Sequence, residues 1–326
     1  MRKIFIIAVL ASSLLLSSLA FRGEIKKEND EWNKEYGARD IAAFLDIKQI
    51  EDGYILCGAA REAGTMNDDG WIVKIDKEGN KLWEKFYGGK NQDELWCILE
   101  VEDGYVAAGT TESFGNGSFD CWLLKIDKEG NEIWNKTYGW KEDDFASKVI
   151  KGKDGGYLIV GGTATSPSPY TDILLVKTDE NGNVEWYKTF DGIGKDGDIG
   201  DDIIEVEDGY LIAGSTVINI TERFDVWLIK IDKNGNEIWN KTYGWEGGGV
   251  AKAAVRKIED GYAIAGYVCL WDMEVPSGYL IKVDKEGNEI WKKCYPGTSL
   301  RESNFIIDFE VIEEGYILYG GTGLVE

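Results

Sequence analysis

The sequence predicts an all-β protein, a six-bladed β-propeller of four-stranded antiparallel blades. Three observations predict it. A hairpin built on Asp-x-x-Gly-Asn recurs five times, a Gly-Tyr strand marker recurs six times, and the spacing between markers matches one four-strand unit. The marker tyrosines fall at 54, 105, 157, 210, 262 and 316, in steps of 51 to 54 residues. A period of this size signals a repeat architecture in which one unit cannot bury its faces alone and must stack on its neighbours. Four short strands per unit, with tight turns between them, select radial blades over helical solenoids.

The best-formed hairpin is CWLLKIDKEGNEIWNKTYGW at 121–140. Trp122, Leu123, Leu124, Ile133 and Trp134 favour a pleated, buried surface. Asp127 suits the first position of a type I turn, and Gly130 the position where the chain needs positive φ before re-entering a strand. The same hairpin recurs from Gly70, Asp172, Asp225 and Gly278, with Lys two residues before the Asp and Trp four after the Gly. The Gly-Tyr strand follows an acidic turn, as in EDGYVAAG from Glu102, and an apolar strand precedes that turn. One unit is therefore strand A, an acidic turn, strand B, a variable loop, and the hairpin of strands C and D.

The chain ends predict how a ring closes. EWNKEYG at 31–37 repeats the D-strand pattern, with Trp32, Lys34 and Tyr36 matching Trp134, Lys136 and Tyr138. This segment is expected to be the outer strand of the last blade, completing the sheet that contains Tyr316. GEIKKEND at 23–30 loosely echoes a C–D hairpin; the alternative is a three-stranded last blade.

Residues 1–20 are expected to be an export signal, with basic Arg2 and Lys3, an apolar stretch to Leu19 and a small residue at Ala20. Residues 21–326 then form one six-bladed domain with no further membrane span, placed outside the cell or in its envelope. The formal charge of −23, about −25 once Arg2 and Lys3 are removed, repels phosphate backbones and argues against nucleic acid. The chain has no histidine, which removes His general bases, His-containing triads and His-ligated zinc. The five cysteines sit at different places in the repeat, which argues against a disulfide ladder; most are expected to be small buried residues, with one incidental bridge left open in an oxidising compartment.

In an A-B-C-D meander the B–C and D–A loops share one face, and here those loops vary while the A–B and C–D turns do not. Binding is therefore expected on the variable face. Trp140 and Trp245 open their D–A loops, and Trp271 lies in the fifth B–C loop beside Asp272 and Glu274. Exposed Trp next to carboxylates suits a sugar ring or a basic protein surface; the structural alternative is that these rings plug gaps between blades. Asp40, Asp93, Asp144 and Asp198 open successive A strands. They either cap backbone amides or form a partial acidic ring for Ca2+ or another hard cation. No organic cofactor is expected. The repeated Lys residues on strands C and D are expected to pair with acids and to guard the outer edge. The sequons at Asn116, Asn135, Asn219 and Asn240 permit glycosylation.

The pattern D-x-A, D-G-G-Y-x-x-x-G-x-T and D-x-W-L-x-K-x-D-x-x-G-N-x-x-W-x-K resembles the secreted β-propeller repeats of bacterial and archaeal surface proteins. The unit from Asp144 to Trp186 departs from it where Ile173-Leu174 replaces the strand C aromatic. The D-x-x-G-x-x-x-W turn is also similar to the tryptophan-docking turn of quinoprotein-like propellers. The dehydrogenases of that group carry a vicinal cysteine pair, which this chain lacks. The resemblance covers residues 31–322 and implies a fold rather than an activity. The expected function is a non-enzymatic exported scaffold binding protein or glycan through its loop face, with no catalytic residue assigned. The alternative is a carboxylate-dependent glycoside hydrolase or lyase using Asp144, Asp198 or Glu274, and a quinoprotein oxidoreductase ranks third.

Overall fold

A computed structural model describes residues 4–7, 24–27, 34, 36, 41–61, 65, 67–164, 170–192, 197–218, 223–245, 248–270, 276–295, 302–313 and 315–324. All regular structure among them is β-strand, and no helix is long and apolar enough to cross a membrane. Two short strands come first, β1 (Ile4–Ile7) and β2 (Glu24–Lys27), paired antiparallel with each other.

The chain divides into two compact units. The first takes residues 1–151 together with 179–183. It holds one sheet of β3 (Ile41–Ile50), β4 (Gly53–Arg61), β5 (Asp69–Asp76) and β6 (Lys81–Tyr87). A second sheet contains β7 (Asp93–Val101), β8 (Gly104–Thr111), β9 (Asp120–Ile126) and β10 (Glu132–Tyr138). Strand β11 (Asp144–Lys151) also belongs to this unit. The second unit holds β12 (Tyr157–Ala164), β13 (Thr171–Thr178) and β14 (Val184–Phe190). Two further sheets follow. One is β15 (Ile199–Glu205), β16 (Gly209–Ile218), β17 (Arg223–Asp232) and β18 (Glu237–Tyr243). The other is β19 (Gly248–Ile258), β20 (Gly261–Leu270), β21 (Pro276–Asp284) and β22 (Glu289–Tyr295). Last come β23 (Glu302–Ile312) and β24 (Gly315–Leu324), paired with each other and, among the described residues, with no further strand.

Each four-stranded sheet is an antiparallel meander in the predicted A-B-C-D order. The Asp-x-x-Gly-Asn turn explains its own conservation of pattern. Asp76 Oδ1 accepts the amides of Glu78 and Asn80 at 3.0 and 2.7 Å, and Oδ2 accepts the Asn80 side-chain amide at 2.9 Å. Gly79 sits at φ +75°, a conformation that a Cβ would strain. At the acidic turn the reason for glycine differs. A Cβ on Gly104 would fall 2.0 Å from the Ile126 carbonyl oxygen, so only glycine lets the two strands pair there.

The turn is also where successive sheets dock. Tyr87 donates its hydroxyl to the Gly130 carbonyl at 2.7 Å, and Lys85 Nζ donates to Asn131 Oδ1 at 2.7 Å. Trp83 lies against the bare face of Gly130 and donates its indole N–H to the Lys128 carbonyl at 3.2 Å. Tyr138 repeats the bond on Gly182 and Tyr243 on Gly287, while Trp134, Trp186 and Trp239 pack on Gly182, Gly235 and Gly287. The strand C lysines pair with the acidic turn instead. Lys74, Lys125, Lys177, Lys230 and Lys282 bind Asp52, Asp103, Asp154, Asp208 and Asp260 at 2.8 to 2.9 Å. Between the first strands of successive sheets, Asp46 Oδ2 accepts the Ile98 amide at 3.1 Å, Cys97 Sγ the Val149 amide at 3.2 Å, and Asp202 Oδ2 the Val255 amide at 3.0 Å. Between sheets lie apolar cores such as Ile55, Ile72, Leu95, Ile98 and Leu124. Cys57, Cys97 and Cys121 are buried free thiols within these layers. Burial pushes the Cys97 thiol up to about 11, which makes it inert as a nucleophile.

The expected closed ring of six four-stranded blades is corrected. Among the described residues the last sheet has two strands, and nothing from 31–37 is added to it. Lys34 and Tyr36 lie outside any strand and use their D-strand chemistry on the first sheet: Tyr36 donates to the Gly79 carbonyl and Lys34 to Asn80 Oδ1, each at 2.6 Å. The physical reason is that Trp-Lys-Tyr encodes docking onto a turn, which is separate from main-chain pairing at a sheet edge. The echoed hairpin at 23–30 also finds another partner, because Glu24–Lys27 pairs with Ile4–Ile7.

Candidate metal centre

The loop ends of the repeats bring two carboxylates together over one glycine. Near the start of strand C stand Asp69, Asp120, Asp172 and Asp225, and at or just before the start of the next A strand stand Asp93, Asp144 and Asp198. A Cβ on Gly88 would fall 2.5 Å from Asp93 Oδ2 and 3.0 Å from Asp69 Oδ1, so both acids close over that residue. Asp144 and Asp120 close over Gly139 in the same way. The A-strand acids are all buried and all accept a backbone amide: Gly89 to Asp93 at 2.8 Å, Trp140 to Asp144 at 2.7 Å, and Gly192 to Asp198 at 2.6 Å. Their repeated role is thus to hold the start of the D–A loop.

One departure from this pattern in the second unit adds a carboxylate. Where Tyr87, Tyr138 and Tyr243 are followed by glycine, Phe190 is followed by Asp191. Strand register confirms the equivalence, since Phe190 pairs with Ile173 as Tyr138 pairs with Cys121. Asp191 adds a third carboxylate to the repeated pair. One oxygen each from Asp172, Asp191 and Asp198 all lie within 4.8 Å of one another. Asp198 is buried, Asp172 half-buried and Asp191 exposed. The Asp198 carboxyl is pushed up from its ordinary value, first by burial and further by the charges of Asp191 and Asp172, while Thr216 and the Gly192 amide pull it back. Three like charges so close are stabilised by a cation between them.

A cleft of about 320 Å³ opens beside the cluster. Asp191 and Gly192 line it together with Trp227, Glu237 and Asn240. Those three are locked together: Asn240 donates to Glu237 Oε1 at 2.7 Å and accepts from the Trp227 indole at 3.3 Å. The donor set is all oxygen, which suits Ca2+ or Mg2+ rather than a soft metal. Three carboxylates leave several of the six to eight positions of a Ca2+ shell for water or a ligand's oxygens entering by the cleft.

The other sequence-predicted site residues do not assemble with this cluster. Trp140 is 43 % exposed on its loop, so it stands in water. Trp245 is half-buried against Tyr279, at 4.8 Å between rings, with Lys292 Nζ 5.5 Å above it, so it plugs the core. Asp93 and Asp144 belong to the first unit, and Asp40 and Trp271 lie outside the described residues. Sequence reasoning named Asp198 but missed Asp172 and Asp191. The signal for Asp191 was present as Phe-Asp-Gly standing where three other repeats have Tyr-Gly, at Tyr87, Tyr138 and Tyr243. In the first unit a second charged group went unpredicted: buried Arg61 Nε lies 3.4 Å from Asp68, and burial raises both Asp68 and the nearby Glu94.

Fold and site together define an all-β repeat protein with carboxylates at its loop ends. No family model and no curated protein matches the chain. Solved structures do. A cobalt-substituted apocarotenoid oxygenase of Synechocystis superposes with a TM-score of 0.50 at 8 % identity, over 84 % of this chain and 67 % of that one. A chimera of that oxygenase with RPE65 gives 0.47 at 9 %, with the same coverage. A lignostilbene dioxygenase of Pseudomonas brassicacearum gives 0.46 at 12 %, over 84 % and 68 %. The expectation of a non-enzymatic protein- or glycan-binding scaffold is corrected: the solved structure that this chain resembles in fold at a TM-score of 0.50 is that of an oxygenase. The matches also give no support to the expected quinoprotein-like or carbohydrate-active character. At these identities the likeness is one of fold alone, and without histidine this chain cannot build a His-ligated metal centre.

Proposed function

We propose that the chain is an exported protein that binds a hard divalent cation, Ca2+ in the first place, at Asp172, Asp191 and Asp198. The observation that carries the reading is Asp191. At the same position the two preceding repeats have Gly88 and Gly139, over each of which two acids close, and here Asp191 supplies a third acid to the same spot. Asp172 and Asp198 are held from opposite sides by strand and loop, with the Asp198 amide bonded to the Thr171 carbonyl at 2.6 Å. This fixes two ligands before the ion arrives, and Asp191 is exposed enough to turn onto it. The cleft lets the bound ion present open positions to an oxygen-bearing ligand.

The test is calorimetric titration of the full chain with CaCl2 and MgCl2, alongside Asp191→Gly. That variant restores the repeat residue, so folding is preserved. One Ca2+ site in the native chain and none in the variant is the expected result. Equal binding by both, or no binding by either, would sink the reading.

A further inference from the structure

The surroundings of Asp198 differ from those of its counterpart Asp93 in one further atom, the Thr216 hydroxyl. Strand register puts a threonine opposite the acid in both repeats. Asp93 pairs with Thr111, and the pairing of Ile199 with Ser215 sets Asp198 opposite Thr216. The first copy is closed on itself. Thr111 Oγ1 donates to Asp93 Oδ1 and accepts the amides of Ser113 and Phe114 at 3.1 and 3.2 Å. Asp93 Oδ2 accepts the Gly89 amide at 2.8 Å and the Ser113 hydroxyl at 2.7 Å. Both oxygens of that carboxylate are therefore occupied by donors of the chain.

The second copy is arranged otherwise. Among the described residues the Asp198 carboxylate accepts the Gly192 amide, at 2.6 Å, and Ile218 stands where the first copy has Ser113. Thr216 is 0 % exposed, and its hydroxyl has no partner at hydrogen-bonding distance and angle. That hydroxyl nonetheless faces the acid, since it draws the Asp198 carboxyl back towards its charged form. A Cβ on Gly192 would fall 2.2 Å from Thr216 Oγ1 and 2.7 Å from Asp198 Oδ1, so hydroxyl and carboxylate crowd one spot. A buried hydroxyl without a partner is unfavourable unless something at the site meets it.

We propose that Thr216 Oγ1 is the fourth protein oxygen on the cation held by Asp172, Asp191 and Asp198, an inference that rests on the cation reading of those three acids. A hydroxyl is a hard oxygen donor, as such ions require, and being neutral it adds a ligand without adding to the repulsion among three carboxylates. Its lone pair turns to the ion and its proton points to an Asp198 oxygen. The hydroxyl thereby gains the partner that the fold by itself withholds. Thr111 cannot act in this way, because its oxygen already serves Ser113, Phe114 and Asp93.

The test is calorimetric titration of the full chain with CaCl2 for the native sequence, Thr216→Val, Thr216→Ser and Thr111→Val, with thermal melts of each in EDTA. Thr216→Val keeps the shape of the side chain and is expected to bind Ca2+ at least tenfold more weakly than the native chain. Thr216→Ser, which keeps a hydroxyl, is expected to stay close to the native affinity. In EDTA the melt of Thr216→Val should match the native one, since no hydrogen bond is lost. Thr111→Val cuts the bond to Asp93, so it should lower the melt and leave Ca2+ affinity unchanged. Native affinity in Thr216→Val overturns the inference and leaves the three-carboxylate reading standing. Equal loss in Thr216→Ser and Thr216→Val overturns it too, because the hydroxyl is then not what counts. So does an EDTA melt of Thr216→Val lowered as far as that of Thr111→Val, which would make the hydroxyl a prop for Asp198. Absence of Ca2+ binding by the native chain removes that reading and this inference together.

Discussion

The Tyr87 hydroxyl donates to the Gly130 carbonyl across a gap of 43 residues, joining the outer strand of one sheet to the turn of the next. Burial pushes the Tyr87 phenol far above its ordinary value, with the charges of Asp127 and Glu132 adding to the effect, so it stays a donor at any working pH. Removing it leaves a buried carbonyl without that donor. Tyr87→Phe is expected to lower unfolding free energy by about 1 kcal/mol. Tyr36→Phe, at the half-buried copy of the contact, should cost less. Urea unfolding of both variants checks the order; a larger loss at Tyr36 would contradict it.

Gly130 answers to two constraints, its φ of +78° and the Trp83 ring, which would lie 3.1 Å from an added Cβ. Gly130→Ala is expected to cost about 1–3 kcal/mol. Gly155, at φ +96° with open space around it, carries only the backbone part. Gly155→Asn should therefore be milder, since asparagine tolerates that conformation. Equal destabilisation by the two would show that ring contact is irrelevant.

Asp201 gives the chain a pH signature. Burial raises its carboxyl to about 6, despite Lys252 Nζ at 3.9 Å and the Ala253 amide at 3.0 Å, which favour the charged form. Below about pH 4 the group is protonated both folded and unfolded. Between that pH and about 6 the folded state keeps a proton that the unfolded chain has released. The contribution of Asp201 to stability therefore grows as pH falls from above 6 towards 4, and is lowest at neutral pH. Asp201→Asn should remove this slope, read as the difference between the two proteins' stability-against-pH curves. A difference that stays flat across that window would refute the assignment.

Arg256 bridges two sheets of the second unit. Its Nη1 donates to buried Asp202 at 2.8 Å, and its Nη2 to Asp308. It stands where the intervening strand offers Ala254 in place of the acid that its neighbours carry. Arg256→Met removes the partner of a buried carboxylate and is expected to cost about 2 kcal/mol, reduced from the fully buried case because Asp308 is partly in water. Asp308→Asn should cost well under half of that. Thermal unfolding of both tests the ranking.

Much of this was written in single residues. The period of the marker tyrosines, the Asp-x-x-Gly-Asn turns and the strand order A-B-C-D are local facts, because a turn such as Asp76–Asn80 satisfies its own hydrogen bonds within five residues. The pairing of strand C lysines with acids was legible for the same reason of fixed spacing. Asp198 was legible as an acid opening a strand, since repetition marks the position. The association of Asp198 with Asp172 and Asp191 was not, because it joins three loop ends through strand register.

What the sequence by itself determined is the all-β repeat, its turns and its lack of histidine chemistry: each follows from residue type at short range. Only the tertiary structure decided what Lys34 and Tyr36 hold, which acids converge, and that β23 and β24 stand as a pair. Those outcomes depend on a competition between distant surfaces for the same few side chains, and no spacing along the chain records who wins it.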